Sequence, residues 1–222
     1  GTGSNCTQTA VRRSFAAESA GADALLIVTP YYNKCSQSGL IEHYDYISDR
    51  TDLPVIVYNV PSRTGVDIKP ETYRELCKIR NIVATKEANG NISSLMKTIS
   101  LCGDELGVYC GNDDQAAAFM AMGAKGVISV LSNIMPTEMH QITADALACR
   151  TKQSVTEQKK LIEIAKDRNI DVRFIELMPF SDEGENESLI VKGEEILARF
   201  PFLKKAHTEK EKSVAQYYVA DN

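Results

Sequence analysis

The sequence predicts an α/β protein built on a parallel sheet, and three observations predict it. Short apolar runs alternate with amphipathic stretches at a period of roughly 20 to 30 residues, the signature of βαβ units. The runs Leu25-Leu26-Ile27-Val28, Val55-Ile56-Val57 and Ile82-Val83-Ala84 read as buried strands. Each of them delivers polar, reactive side chains where the strand should end: Thr29-Pro30-Tyr31-Tyr32-Asn33, Tyr58-Asn59 and Thr85-Lys86-Glu87. In parallel α/β architectures, strand C-terminal ends are where chemistry collects. A doubly wound sheet and a closed barrel both fit the alternation. No G-x-G-x-x-G and no phosphate-loop lysine motif favours a nucleotide-binding sheet.

Taken in order, residues 1–6 are glycine-rich and read as a strand stub at residues 1–3 followed by a loop. Val11, Phe15 and Ala16 recur at helical spacing within residues 7–20, with Gly21 as the stop. Ser36 or Ser38 is placed to cap a helix whose apolar side is Leu40, Ile41, Tyr44 and Ile47. Pro54 introduces the strand at 55–58, and Pro70 suits the first turn of a helix running to about residue 79. The lysine-bearing strand follows. Asn91 can cap a helix with Ile92, Leu95, Met96 and Ile99 on one face. Residues 106–110 form a strand ending in Gly111-Asn112-Asp113-Asp114, where Asp113 or Asp114 would cap an alanine-rich helix through Met122. Residues 126–130 are a further strand, and Pro136 opens a helix with Met139, Ile142 and Leu147 inward.

Beyond Arg150 the pattern changes. Val155, Leu161, Ile162 and Ala165 suit a helix, residues 170–180 a strand and its exit loop, and residues 181–187 an acidic solvated loop. The expected organisation is thus a (β/α) part at 1–150 and a helical and strand segment of different origin at 151–222.

Composition narrows the function class. Hydrophobic content of 43% and charged content of 25% are ordinary for a soluble globular chain. A net charge of -5 argues against a nucleic-acid partner, and no apolar run is long enough to span a bilayer. Cys6, Cys35, Cys77, Cys102, Cys110 and Cys149 are scattered without a C-x-x-C pair, so reduced thiols in a cytoplasmic protein are expected rather than a metal site.

A strand-end lysine is usually a solvated terminus. An amine attacks a ketone only when neutral, so a catalytic lysine needs an apolar setting that lowers its pKa; the run Ile82 to Ala84 before Lys86 is consistent with one. Tyr58 alone reads as a core or interface tyrosine. Arg63 after Pro61-Ser62 reads as a surface charge, although its fork suits a carboxylate. Glu87 reads as a satisfied loop acid rather than a base. His43, His140 and His207 have no partners at recognisable spacing.

The motifs TPYYN, YNVPSRTG and KEANGN, in this order and spacing, with GTGSN before them and GNDD then GVISV after, resemble the pyruvate-dependent class I aldolase family that includes dihydrodipicolinate synthase and N-acetylneuraminate lyase. The resemblance runs from residue 1 to about residue 150. It implies a (β/α)8 barrel, of which five to six strands are present, the chain starting at the end of the family's third strand. The family's Gly-Thr-Thr segment for carboxylate binding and proton relay falls before that point. By resemblance Lys86 forms a Schiff base with pyruvate, Tyr58 shuttles protons, and Tyr32 joins the relay from a neighbouring subunit. Arg63 would grip the carboxylate of aspartate semialdehyde, Ile128 would line the lysine pocket, and Gly111 would allow close backbone approach. No cofactor is implied. A homo-oligomer, dimer or tetramer, is implied, working in lysine and diaminopimelate biosynthesis. The alternatives are a sialic-acid or other keto-acid aldolase, against which Arg63 argues, and a non-catalytic fusion serving as an oligomeric or interaction module. Asn5 and Tyr31 match positions where some synthases bind inhibitory lysine, but Thr9 replaces the usual glutamate. Residues 161–222 resemble part of the radical S-adenosylmethionine cyclase of molybdenum cofactor biosynthesis, without its C-x-x-x-C-x-x-C motif.

Overall fold

Apolar runs followed by polar ends fold here into five short strands, β1 (Leu25–Val28), β2 (Val55–Asn59), β3 (Ile82–Glu87), β4 (Gly107–Cys110) and β5 (Gly126–Val127). They pair in chain order, β1-β2-β3-β4-β5, and every pairing is parallel. A doubly wound sheet reverses its strand order at a switch point. This sheet does not reverse, so it is an arc of the barrel kind. The computed structural model describes residues 1–150, 152–158, 203–205 and 218–220. The chain forms two compact units, Gly1–Arg168 and Asn169–Asn222.

The helices of the first unit include α1 (Thr7–Ser19), α2 (Gln37–Ser48), α3 (Pro61–Thr64), α4 (Pro70–Leu76), α5 (Ile92–Cys102), α6 (Ala116–Ala121) and α7 (Pro136–Leu147). Residues 152–158 are also helical. Ser36 accepts a hydrogen bond from the Gly39 N–H and Asn91 one from the Ser94 N–H, each satisfying an orphan donor at a helix start. Pro61, Pro70 and Pro136 occupy first turns, where a missing N–H costs nothing.

Side chains alternate across a strand, so the sheet has two unlike faces. On one, Leu25, Ile27, Val55 and Val57 are buried with Leu40, Tyr44 and Ile47 of α2 and Ile68, Tyr73 and Leu76 of and before α4. The Tyr44 hydroxyl, fully buried, donates to the Ile27 carbonyl at 3.0 Å. A further cluster sets Val108 and Cys110 against Leu95, Phe119 and Met120. Each such aliphatic side chain contributes about 1.5–3 kcal/mol on burial. On the other face Leu26, Val28, Ile56, Tyr58 and Tyr109 are only half-buried. That face carries Tyr58 and, opposite it, Lys86.

The structure corrects several expectations. Residues 1–3 form no strand; Thr2 N–H reaches the Leu26 carbonyl at 3.0 Å and the segment lies along β1. The last strand stops at Val127 instead of residue 130. In α1 the buried residues are Ala10, Val11 and Ser14, while Phe15 is exposed. In α5 they are Leu95, Thr98 and Cys102, with Ile92 and Met96 exposed; in α7 Leu147 faces solvent. A bulge between β2 and β3 pairs Val55 with Ile82 but Ile56 with Ala84. Val83 is the extra residue and is exposed. Neither Asp113 nor Asp114 caps α6, because the chain first makes a 3-10 turn at Asp113–Gln115.

His43 is buried, its Nδ1 2.8 Å from the Thr7 hydroxyl, and burial pushes its pKa down to about 4. All six cysteines are free thiols. No helix among the described residues is long and apolar enough to cross a membrane. In the second unit β6 (Leu203–Lys205) pairs antiparallel with β7 (Tyr218–Ala220). The strand expected at 170–180, the acidic loop at 181–187, His207 and most of the expected helix through Ala165 lie outside the described residues.

Candidate active site

Parallel pairing in register lines up the strand ends. Val28 pairs with Tyr58, Tyr58 with Lys86, and Lys86 with Tyr109. Lys86 is 7% exposed, and its Nζ sits 4.6 Å from the centroid of the Tyr58 ring. Burial lowers the lysine's pKa, and the nearby Arg63 guanidinium adds to that lowering; Asp113 and Cys110 push it back up. The lowering enlarges the neutral, nucleophilic fraction of the amine at any given pH.

Gly111 follows β4 and faces the lysine stem. A Cβ there would fall 2.9 Å from Ala88 Cβ and 3.0 Å from Lys86 Cε, closer than side chains tolerate. The glycine is therefore what gives the lysine its room. Arg63 rides on the single turn of α3, which Gly65 ends in the left-handed region at φ 70°. It is exposed, yet close enough to act on the lysine's charge. Ile128 is half-buried just beyond β5, two strands along from Lys86, with its N–H donating to the Cys110 carbonyl at 2.9 Å. Tyr32 stands in the loop after β1 at φ 73°, 63% exposed.

Lys86, Tyr58, Gly111 and Arg63 are thus brought together, whereas Tyr32 projects into solvent. Sequence reasoning missed Asp113 as a member of this group. Its Oδ2 accepts from the Val130 and Leu131 N–H groups at 3.1 and 2.9 Å, holding the turn after Ile128. Its Oδ1 is buried with no hydrogen-bond partner among the described residues. Missed too were Asn59 and Tyr73, which hydrogen-bond Glu87 behind the lysine. Asn59 has a sequence signal only by adjacency, following Tyr58 as Glu87 follows Lys86, and Tyr73 has none. No three His, Cys, Asp or Glu side chains among the described residues gather to hold a metal ion.

Comparison with known proteins bears on this geometry. The dihydrodipicolinate synthetase family profile matches residues 1–214. The 4-hydroxy-tetrahydrodipicolinate synthase of Clostridium novyi is 44% identical over 179 residues, 81% of this chain and 59% of the relative. That of Caldicellulosiruptor saccharolyticus is 50% identical over 172 residues, 78% of this chain and 58% of the relative. Among solved structures, dihydrodipicolinate synthase from Acinetobacter baumannii, complexed with pyruvate, superposes with a TM-score of 0.72 at 42% identity. That match covers 75% of this chain and 57% of the other. The chain therefore spans under two-thirds of the length of the relatives it matches.

Proposed function

The chain belongs to the dihydrodipicolinate synthetase family, and from that premise we propose that it serves a class I aldolase reaction joining pyruvate to aspartate semialdehyde. The neutral Lys86 amine attacks the ketone carbon of pyruvate, and loss of water from the adduct leaves an iminium. The iminium draws electrons from the adjacent methyl group, which gives up a proton to form an enamine. The enamine carbon then bonds to the aldehyde carbon of the semialdehyde, whose oxygen takes up a proton; this regenerates the iminium, and water adds to it to release the keto product and return Lys86 as the free amine.

Tyr58, whose ring lies beside the lysine nitrogen, passes protons in these steps. Arg63 holds the semialdehyde carboxylate through its two-pronged guanidinium. Ile128 contributes an apolar wall, and Gly111 the clearance for the lysine. On the same reading Tyr32, exposed in its loop, serves the site of a neighbouring subunit in a homo-oligomer.

One observation carries this reading: a buried strand-end lysine, its pKa lowered by burial, with Tyr58 and Arg63 acting on its amine. A substrate panel tests the choice of acceptor. With pyruvate present, the chain should consume aspartate semialdehyde and leave an amino-sugar aldehyde untouched. R63A should raise KM for the semialdehyde by about tenfold or more, the loss of a charged hydrogen bond. Preference for the sugar, or an R63A variant with unchanged KM, would contradict the assignment.

A further inference from the structure

The end of β3 sends two neighbouring residues to opposite sides of the sheet. Lys86 enters the site, while Glu87 turns under α4 and is 3% exposed. The pairing repeats this on β2, where Tyr58 lies opposite Lys86 and Asn59 opposite Glu87. Asn59 Nδ2 donates to Glu87 Oε1 and Oε2 at 3.0 and 3.1 Å, and to Asp67 Oδ1 at 2.9 Å. The Tyr73 hydroxyl of α4 donates to Oε2 at 2.8 Å, and the Asn89 N–H donates to Oε1 at 2.8 Å. Asn89 Nδ2 also reaches Asp67 Oδ1 at 3.3 Å, and Asn59 Oδ1 accepts from the Ile68 N–H at 3.2 Å. One carboxylate thereby joins both strand ends to α4, to the turn after β3 and to the segment before α4.

The charged and titratable groups around it are Tyr73 from α4, Asp67 with Lys69 upon it at 3.3 Å, and Cys110 opposite on β4. Among the described residues Glu87 has no cation partner. A buried carboxylate without one is costly, and its geometry is held entirely by neutral donors. Nor is there slack between this tie and the lysine. Ala88 N–H bonds the Asn59 carbonyl at 2.9 Å, Gly111 N–H bonds the Glu87 carbonyl at 2.8 Å, and Gly111 already abuts the lysine stem.

We propose that Glu87, held by Asn59 and Tyr73, is a positioning residue that fixes the two strand ends so that the Lys86 amine stays beside the Tyr58 ring. The inference rests on the reading of Lys86 as the imine-forming lysine. Burial, the largest influence, raises the Glu87 carboxyl to about 7. Ionised, it accepts from all its donors; protonated, one oxygen becomes a donor and part of the tie is lost.

Two readouts test this on the whole chain, each normalised to the folded fraction. One is the rate at which borohydride traps pyruvate on Lys86. The other is the midpoint of Lys86 acetylation against pH, which needs no pyruvate. E87A should slow trapping about 10- to 100-fold, the range found when a supporting partner of a reactive group is lost, and should move the acetylation midpoint. E87Q keeps the shape but, like the protonated acid, puts a donor in place of one acceptor oxygen, so it should recover part of the rate lost in E87A. It should also remove the inflection near pH 7 in the trapping profile. If E87A does not fold, E87Q and Y73F carry the same test. A folded E87A with wild-type trapping and midpoint, or an E87Q with the wild-type pH profile, overturns the proposal. A chain that traps no pyruvate, but whose acetylation midpoint moves in E87A, removes the pyruvate reading and leaves the positioning role standing.

Discussion

Lys86 and Glu87 share a peptide bond, yet they belong to regions governed by different physics. On the helix side of the sheet, Tyr44, Tyr73, Val55 and Val57 are fully buried, and the polar atoms of Tyr44, Tyr73, Asn59 and Glu87 have partners. On the other side, Tyr58 and Tyr109 are half-buried, and a lysine is kept in a setting that disfavours its charge. Stability is built on the first face and reactivity on the second. On the proposed reading, the reactive face is held in place by its rigid neighbour, through the strand ends the two share.

Substitutions on the two faces should therefore separate. K86A should abolish every borohydride-trapped pyruvate adduct, seen by intact mass, while the far-ultraviolet circular dichroism and cooperative melt persist. Retained adduct would show that Lys86 is not the imine-forming amine. Y44A should do the reverse. It empties a fully buried aromatic site and should cost about 3–5 kcal/mol in denaturant unfolding, with the trapping rate per folded molecule unchanged.

A third prediction uses pH. Glu87 is raised from an ordinary 4.5 to about 7 in the folded chain. Between those values the folded state holds a proton that the unfolded state has released, so folding stability falls as pH rises through this window. Two and a half units at about 1.36 kcal/mol each set a ceiling of roughly 3 kcal/mol. E87Q cannot titrate, so its unfolding free energy should gain on wild type across the same window. Parallel profiles would show that Glu87 is not the group responsible. The smallest effect belongs to G111A. Its new Cβ would lie 2.9 Å from Ala88 Cβ and 3.0 Å from Lys86 Cε, so it should slow trapping about tenfold and also lower the melting temperature, since misplacement by a fraction of an ångström is enough.

Much of this was legible in the chain. The strand runs at 25–28, 55–58, 82–84 and 106–110, the turn prolines and the Ser36 and Asn91 caps are local signals, and the structure shows these. The motifs that carry Lys86, Tyr58, Arg63 and Gly111 are local too, and the structure brings these four residues together. What was not legible depends on distant partners. Ser14 rather than Phe15 is buried in α1 because the packing partner, not periodicity alone, chooses the buried face. Asp113 looked like a helix cap, but its carboxylate is claimed by N–H groups 17 and 18 residues away. Glu87 depends in the same way on Asn59, 28 residues earlier, and Tyr73, 14 residues earlier. The bulge at Val83, which brings Lys86 opposite Tyr58, leaves no mark in an apolar run.

Incubating the chain with pyruvate and borohydride and mapping the product by peptide mass spectrometry tests whether Lys86 forms the imine. The account predicts a single reduced pyruvyl adduct on Lys86, absent when pyruvate or borohydride is omitted. A folded chain with no adduct, or with adducts scattered over exposed lysines such as Lys78 and Lys97, would contradict it.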